Sequence, residues 1–333
     1  LYFGGPASAE QLRRCRPLVG CALSDYRPPA ECHTIAWKHK YPYTVLSSLV
    51  DYRCERLVSY RADGYALFSQ YNVNNNMGPR STYHHEHLGW AVRWNASPER
   101  PSTLMLKHPC PKYTTRPLLG DTYFHQVLQH EKALVGIVTA PVERPAHIAE
   151  ESWRTHLLGA WPTETEAVID RSGEGRMFLH YGPVMIALHV TQPFRPVAVG
   201  GLTRFEIPAG QDRLAVAYAV ETAAPRDYPG DTPQQQLKSV AEAAGACFER
   251  FRFDIATPTP EVFCRAVDAT EMHLGWRPKG TSSVREIAGK PIPDIRDNKA
   301  WPLLSTPHIT QPVDGDLLLR TDKGTVKYDF TNW

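Results

Sequence analysis

The residues with the greatest capacity for chemistry are concentrated between Tyr71 and Trp94, in the sequence YNVNNNMGPRSTYHHEHLGWAVRW. This stretch contains three histidines, one glutamate and a run of three asparagines. Histidine exchanges protons near neutral pH, and asparagine and arginine donate hydrogen bonds to anions. These residue types, close together in sequence, predict acid–base chemistry on a negatively charged substrate.

A polar loop followed by a strand is the arrangement that best presents these groups. Successive side chains of a strand point to opposite faces of its sheet. If Tyr83–Trp94 is a strand, His85 and His87 share one face, and His84 lies on the other. The preceding Asn74–Pro79 has the composition of a turn. The alternative is a solvated sheet face without a chemical role.

Composition restricts the class of protein. The chain has 333 residues, of which 42% are hydrophobic and 22% are charged, so it is globular rather than disordered. The net charge of +2 does not favour nucleic acid as a partner. No apolar run has the length of a membrane span, and there is no signal peptide. Residues 1–5 resemble the remnant of a cleaved tag.

The seven cysteines form no CxxC pair, which argues against a thiolate zinc site. Their scattered spacing favours buried free thiols over a disulfide framework.

Short segments of alternating hydrophobicity separated by turn residues continue from Tyr41 almost to the end of the chain. The 29 prolines also favour strands and turns over long helices. We therefore predict an all-β fold, a large multi-stranded antiparallel β-sandwich with one or two peripheral helices. The clearest helix is Thr232–Phe251, where Thr232 or Asp231 can cap the first turn. Residues 1–40 are expected to form a helical segment and linker, and residues 41–333 the sandwich domain.

Several short motifs occur in order along the chain. An Asp-Tyr-Arg-Pro-Pro joint is followed by a Tyr-x-x-Leu-Ser-Ser strand, a Glu-His-x-x-Trp segment and a strand ending in His-Pro. The tail has Gly-Trp and Arg-Asp-Asn elements. The residues concerned are Asp25–Pro29, Tyr43–Ser48, His85–Trp90, His108–Pro109, Leu274–Trp276, Glu286–Gly289 and Ile295–Asn298. In this order, the motifs resemble the C-terminal β domain of the heparinase II/III-like polysaccharide lyases.

The resemblance implies a domain that acts on an acidic polysaccharide or oligosaccharide together with an upstream α/α toroid. The toroid is absent here, and only Ala7–Leu23 matches its last helix. His85 also departs from the family, which more often has glutamine at that position. The resemblance favours a secreted or periplasmic location. No nucleic acid or membrane partner is expected.

β-Elimination of a uronate polysaccharide requires neutralisation of the carboxylate, a base for the alpha proton and an acid for the leaving oxygen. In the resembling lyases the β domain contributes a histidine across the cleft. We therefore take His85, His87 and Tyr83 as candidate catalytic residues. The candidate substrate-binding residues are Asn74, Asn75, Asn76, Arg80, His84 and Trp90.

A structural zinc ion is a second possibility, because His85 and His87 on one strand face direct two imidazoles the same way. Some members of the resembling family carry such an ion. The third ligand is expected to be His108, with Asp121 or His125 as alternatives.

A non-catalytic carbohydrate-binding or scaffolding module is the main alternative function. In that case aromatic side chains stack on sugar rings, whereas the competing interpretation places the same side chains in the core. The candidates are Trp90, Trp94, Trp153 and Trp161.

Overall fold

The computed structural model describes residues 40–49, 55–71, 90–97, 100–107, 125–141, 143, 156–208, 213–277, 283–294, 297 and 300–329. The predicted helical segment and linker, residues 1–40, lie outside these ranges except for Lys40. Two antiparallel sheets form a sandwich in the described part of the chain, and the predicted all-β class is confirmed.

Most strands begin and end within a few residues of the segments with period-two hydrophobicity. In chain order they are β1 (Tyr43–Leu49), β2 (Glu55–Ala62), β3 (Tyr65–Tyr71), β4 (Trp90–Ser97), β5 (Arg100–Lys107), β6 (His125–His130), β7 (Ala133–Pro141), β8 (His156–Pro162), β9 (Ala167–Arg171), β10 (Arg176–Tyr181), β11 (Val184–Val190), β12 (Val197–Val199), β13 (Leu202–Pro208), β14 (Arg213–Ala223), β15 (Arg252–Asp254), β16 (Glu261–Arg265), β17 (Glu271–Gly275), β18 (Val284–Ile287), β19 (Lys290–Pro291), β20 (Leu304–Ser305), β21 (Ile309–Gln311), β22 (Leu317–Thr321) and β23 (Gly324–Tyr328).

The larger sheet has 12 strands in the order β12-β13-β8-β5-β4-β3-β2-β1-β20-β21-β22-β23. Its middle is a meander, in which β1 to β5 pair with their neighbours in sequence. The C-terminal strands join it through β20, where Ser305 pairs with Leu46 of β1. The Ser48 hydroxyl reinforces this junction by donating to the Pro302 carbonyl at 2.7 Å.

The second sheet has six strands in the order β6-β7-β14-β11-β10-β9, and its inner face packs against the larger sheet. The interface is rich in aromatic side chains. The rings of Trp94 and Tyr181 stack across it with centroids 4.4 Å apart. This apolar interior is the main hydrophobic core, and its formation drives the two sheets together.

A third layer, which the sequence did not predict, covers the outer face of the six-stranded sheet. It consists of a five-stranded sheet, β15-β16-β17-β18-β19, and a helix, α1 (Pro233–Phe248). Side chains of Leu237, Val240 and Ala244 on the helix are buried in this second core. The six-stranded sheet is therefore covered on both faces.

Helix α1 begins where the sequence predicted. The Thr232 hydroxyl accepts from the Gln235 backbone N–H at 3.2 Å, and the Gln235 side chain accepts from the Thr232 N–H at 3.1 Å. This capping box satisfies two donors that the first helical turn leaves unpaired. The helix ends at Phe248, three residues before the predicted end.

Strand β8 is less evident from the sequence than its neighbours. It pairs with β5 on one side and β13 on the other. Its burial alternates, with Leu157 and Trp161 directed into the core. Gly159 between them weakened the period-two signal.

Two glycines in strands make room for aromatic rings directly opposite them. Gly159 pairs with Phe205 of β13, and Gly136 of β7 pairs with Tyr218 of β14. A Cβ atom at either glycine would overlap the ring of its cross-strand partner. Each ring therefore occupies the space where a neighbouring side chain would normally stand.

Gly159→Ala should lower the free energy of unfolding by about 1–3 kcal/mol, because the added methyl group must displace Phe205. Urea unfolding followed by tryptophan fluorescence measures the change. The matched control is Gly245→Ala in α1, where an added Cβ has no heavy atom within 4 Å. That variant should be more stable by about 0.5–1 kcal/mol. Equal effects at the two positions would contradict the steric argument.

His189 of β11 packs against two aromatic rings, that of Phe248 at the end of α1 and that of Phe251 just after the helix. Its ring stacks on Phe248 with centroids 5.0 Å apart and meets Phe251 edge-on at 4.9 Å. Burial, with a smaller contribution from the Arg176 guanidinium, lowers the pKa of His189 to about 4. The ring is therefore neutral in the folded protein at pH values where the unfolded chain already binds a proton.

A histidine in the unfolded chain titrates near pH 6.5. Between pH 6.5 and 4 the unfolded chain binds the proton and the folded chain does not, so stability falls as pH falls. His189→Gln should remove up to about 3 kcal/mol of this loss. Chemical unfolding at pH 7 and pH 4 measures it, with His308→Gln as the control. An unchanged pH dependence in His189→Gln would contradict the assignment.

Candidate functional site

Most of the residues predicted to do chemistry lie outside the described residues. These are Tyr83, His85, His87, Asn74, Asn75, Asn76, Arg80, His84, His108 and Asp121. The structure describes the two residues that bracket the main stretch, Tyr71 at the end of β3 and Trp90 at the start of β4. Each is 1% exposed. The segment 72–89 thus connects two neighbouring strands in the middle of the larger sheet, between two buried aromatic anchors.

Trp90 is a core residue in the structure. Its ring packs against Tyr218 with centroids 5.7 Å apart. Trp94 and Trp161 are each 3% exposed. For these three tryptophans the structure shows core packing, since a ring with so little exposed surface offers no face to a sugar. Trp153 lies outside the described residues.

His125, an alternative third ligand for the predicted zinc ion, is also buried. Its Nε2 atom forms a short hydrogen bond with the Tyr218 hydroxyl. Tyr218 is held between this histidine and Trp90, above Gly136. In this arrangement His125 is a core residue, because its Nε2 atom is hydrogen-bonded to the buried Tyr218 hydroxyl.

Tyr71 lies at the point where all three sheets meet. Strand β6 is an edge strand of the six-stranded sheet, and side chains of the other two sheets satisfy its outer backbone groups. The Gln129 N–H donates to the Tyr71 hydroxyl at 2.9 Å, and Arg285 Nε of β18 donates to the Val127 carbonyl at 2.8 Å. The Arg285 guanidinium lies 4.8 Å from the centre of the Tyr71 ring. Tyr71, the last described residue before position 72, is therefore in contact with both of the other sheets.

Two buried guanidinium groups flank this junction. Arg56, which is 0% exposed, pairs with Tyr71 across β2 and β3 and lies 5.9 Å from the Trp301 ring. Burial lowers the pKa of Arg285 to about 10, so this side chain stays charged at neutral pH. The Trp301 ring packs edge-on against the Tyr71 ring, with centroids 5.9 Å apart. The junction places two guanidinium groups in a region of low dielectric, with the Asp294 carboxylate as a charged neighbour of Arg285.

Little in the sequence indicated this junction. Arg56 and Arg285 are distant from the 72–89 segment in sequence, and strand pairing brings them together. The sequence signal for Arg56 and Arg285 is that each is a charged residue at a position where the period-two pattern predicts an apolar one.

Tyr71→Phe should lower the free energy of unfolding by about 1–3 kcal/mol, because it leaves the buried Gln129 N–H without its acceptor. Urea unfolding measures the loss. The matched control, Tyr328→Phe near the end of β23, should change stability by less than about 0.5 kcal/mol. A loss no larger than that of the control would show that the hydroxyl is not needed at this edge.

A second polar group lies on the outer face of the five-stranded sheet, beside a cleft of about 470 Å³. His273 stands in one row of directly paired residues with Phe263 and Glu286. Its Nδ1 is 3.0 Å from Glu286 Oε2, and its Nε2 is 3.3 Å from Glu261 Oε2. Both ring nitrogens face carboxylates, so the imidazolium form can donate two hydrogen bonds here.

Neighbouring side chains restrict what this histidine can do. The Phe263 ring stacks on His273 with centroids 4.1 Å apart, and Arg252 lies 5.7 Å beyond Phe263. Arg277 donates to Glu261 at 3.2 Å. The group holds an imidazole ring between two carboxylates and can bind a polar ligand at its edge. Sequence reasoning missed it because its members belong to different strands.

A third group consists of His130, Glu131 and Asp268. Their ligand atoms all lie within 4.8 Å of one another, and in the ranges that the structure describes this is the one group of three with such spacing. Burial raises the pKa of the neighbouring Glu221 to about 7. The sequence could not indicate this group, because Asp268 follows the other residues by more than a hundred positions.

Comparisons of this chain with protein-family models, curated proteins and solved structures found no match. No helix among the described residues is long and apolar enough to span a membrane. Cys247 and Cys264 are free thiols, as predicted for these two positions, and the other cysteines lie outside the described residues.

Proposed function

We propose that this chain is the β domain of a heparinase II/III-like polysaccharide lyase. It contributes to binding and β-elimination of a uronate-containing polysaccharide, together with an upstream α/α toroid. The observation that carries the proposal is the position of segment 72–89, which connects β3 and β4 and begins at the junction of Tyr71, Arg56 and Arg285. The motif order described above supports the same assignment.

Rigid attachment suits such a segment for catalysis. Tyr71 is held by the β6 backbone, and Trp90 is held by Tyr218. Catalytic groups lower a barrier most when the surrounding structure fixes them before the substrate arrives. Tyr71 and Trp90, the described residues on either side of positions 72–89, are both buried anchors of this kind.

Charge at the junction suits an acidic substrate. Arg285 is 6% exposed and Arg56 is 0% exposed, so neither acts as a solvent-facing ligand. Their positive potential nevertheless favours a carboxylate nearby, because a low-dielectric interior screens charge weakly. In the proposed reaction Asn74, Asn75, Asn76 and Arg80 neutralise the uronate carboxylate.

The proposed proton transfers use the histidines and the tyrosine. One of His85 and His87 removes the proton alpha to the carboxylate, and Tyr83 or the other histidine protonates the leaving oxygen. His84 assists substrate binding. All of these residues belong to one segment and form one wall of a site. A complete site needs donors on more than one side of the substrate, which is the role we assign to the toroid.

The chain alone should therefore show little or no elimination of uronate polysaccharides, measured as the ultraviolet absorbance of the unsaturated product. The protein joined to its native upstream region should be active. In the joined protein, His85→Ala or His87→Ala should lower kcat by roughly a hundredfold or more, as removal of a general acid or base does.

His308→Ala, on the turn between β20 and β21, is the matched control and should retain activity. Robust elimination by the isolated chain would show that the site is complete without a second domain. Full activity of the joined protein after replacement of both His85 and His87 would show that the segment has a structural role.

A non-catalytic carbohydrate-binding module is the second candidate, favoured by the cleft beside His273. Its lining combines three arginines, three glutamates and the Phe263 ring, a composition that suits a sugar, because the ring can stack on the sugar face while the charged groups bond to its hydroxyls. Binding of a uronate oligosaccharide by the isolated chain that is lost in Arg252→Ala, and is unaffected by His85→Ala, would favour this candidate over the lyase.

A further inference from the structure

Two turns from different sheets meet at one end of the molecule. The first joins β6 to β7 and carries Glu131, and the second joins β16 to β17 and carries Asp268. His130 Nε2 lies 3.7 Å from Asp268 Oδ2 across the gap. With a carboxylate oxygen of Glu131, these atoms form the group of three ligand atoms within 4.8 Å of one another.

Local hydrogen bonds position the members of this group. Asp268 Oδ1 accepts from the Thr270 N–H at 2.9 Å, which leaves Oδ2 directed toward His130. The Gln129 side chain donates to the Glu131 carbonyl at 2.9 Å and fixes the first turn. The side chains of His130 and Asp268 are 26% and 37% exposed, so an ion from solvent can reach them.

Near the two turns lies a buried carboxyl group, that of Glu221. It lies between the same two turns: Glu221 pairs with Ala133 of β7, and its Oε2 accepts from the Val267 N–H at 3.5 Å. The side chain is 6% exposed, and its Oε1 has no hydrogen-bond partner among the described residues. Lys132 and Asp268 are its charged neighbours. A buried polar atom without a partner in a native protein often marks the place of a water molecule or an ion.

We propose that His130, Glu131 and Asp268 bind a divalent cation of the zinc class. One imidazole and two carboxylates are a ligand set that Zn²⁺ accepts, with the fourth position left to water. Ligand atoms around tetrahedral zinc are about 3.4 Å apart, as bonds of about 2.1 Å require. The observed separations reach this value after small side-chain rotations.

The ion connects the turn of the six-stranded sheet to the turn of the five-stranded sheet. It therefore adds a clamp between the middle and outer layers, which are also joined by apolar contacts and by the hydrogen bond from Arg285 to the Val127 carbonyl. This site is independent of the proposed lyase function and of the zinc ligands predicted from His85, His87 and His108.

The test uses the full chain, freed of metal by a chelator and carrying His85→Ala and His87→Ala, titrated with Zn²⁺ in a calorimeter. We expect saturable binding of about one equivalent and a higher melting temperature, because an ion that binds the folded state stabilises it. Adding Asp268→Asn, which retains the acceptor for Thr270, should weaken affinity at least about tenfold and abolish the shift in melting temperature. Adding His130→Ala should do the same.

The matched control is His156→Ala, because His156 also lies beside a carboxylate, that of Glu206, at 4.0 Å. It should bind Zn²⁺ as the parent does. Absence of a saturable equivalent in the parent would overturn the proposal, as would equal affinity before and after Asp268→Asn and His130→Ala. Tighter binding of Ca²⁺ than of Zn²⁺ would overturn the assignment of the ion.

Discussion

The outer edge of β6 is the constraint on which the arrangement of the three sheets depends. An edge strand presents backbone groups that must find partners or water. Here side chains supply the partners: Tyr71 from the larger sheet and Arg285 from the five-stranded sheet bond to the backbone of Gln129 and Val127. Since Tyr71 and Arg285 also stack on each other, one strand edge fixes the relative positions of all three layers.

Several residues of chemical interest lie at this edge or at the ends of β6. Tyr71 bonds to the edge, His125 at the start of β6 bonds to Tyr218, and His130 at its end faces Asp268. The positions of these three residues therefore depend on one buried strand. The cleft beside His273 differs, because it lies on the solvent face of the outermost sheet and its polar groups hold one another.

The sequence predicted local structure better than long-range contacts. Alternating hydrophobicity located β3 and β11 to the residue, and the Thr232 cap located the start of α1, because both signals are carried by neighbouring residues. The five-stranded sheet escaped prediction as a separate layer, since no local pattern tells which sheet a short strand joins. Of the residues assigned to the site, only Trp90 is described, and its burial reflects a cross-layer contact with Tyr218 that sequence spacing does not encode.

The pairing of β1 with β20 has a consequence for the order in which the protein can assemble during synthesis. The Ser48 hydroxyl and the Pro302 carbonyl that it binds are 254 positions apart. At about 5–20 residues per second, a ribosome needs roughly 13–50 seconds to make the intervening chain. The meander from β1 to β5 can form early, but the open side of β1 must wait for residues near 304. During that interval the nascent sheet has an unprotected edge, a place where a holding chaperone would prevent pairing between neighbouring chains.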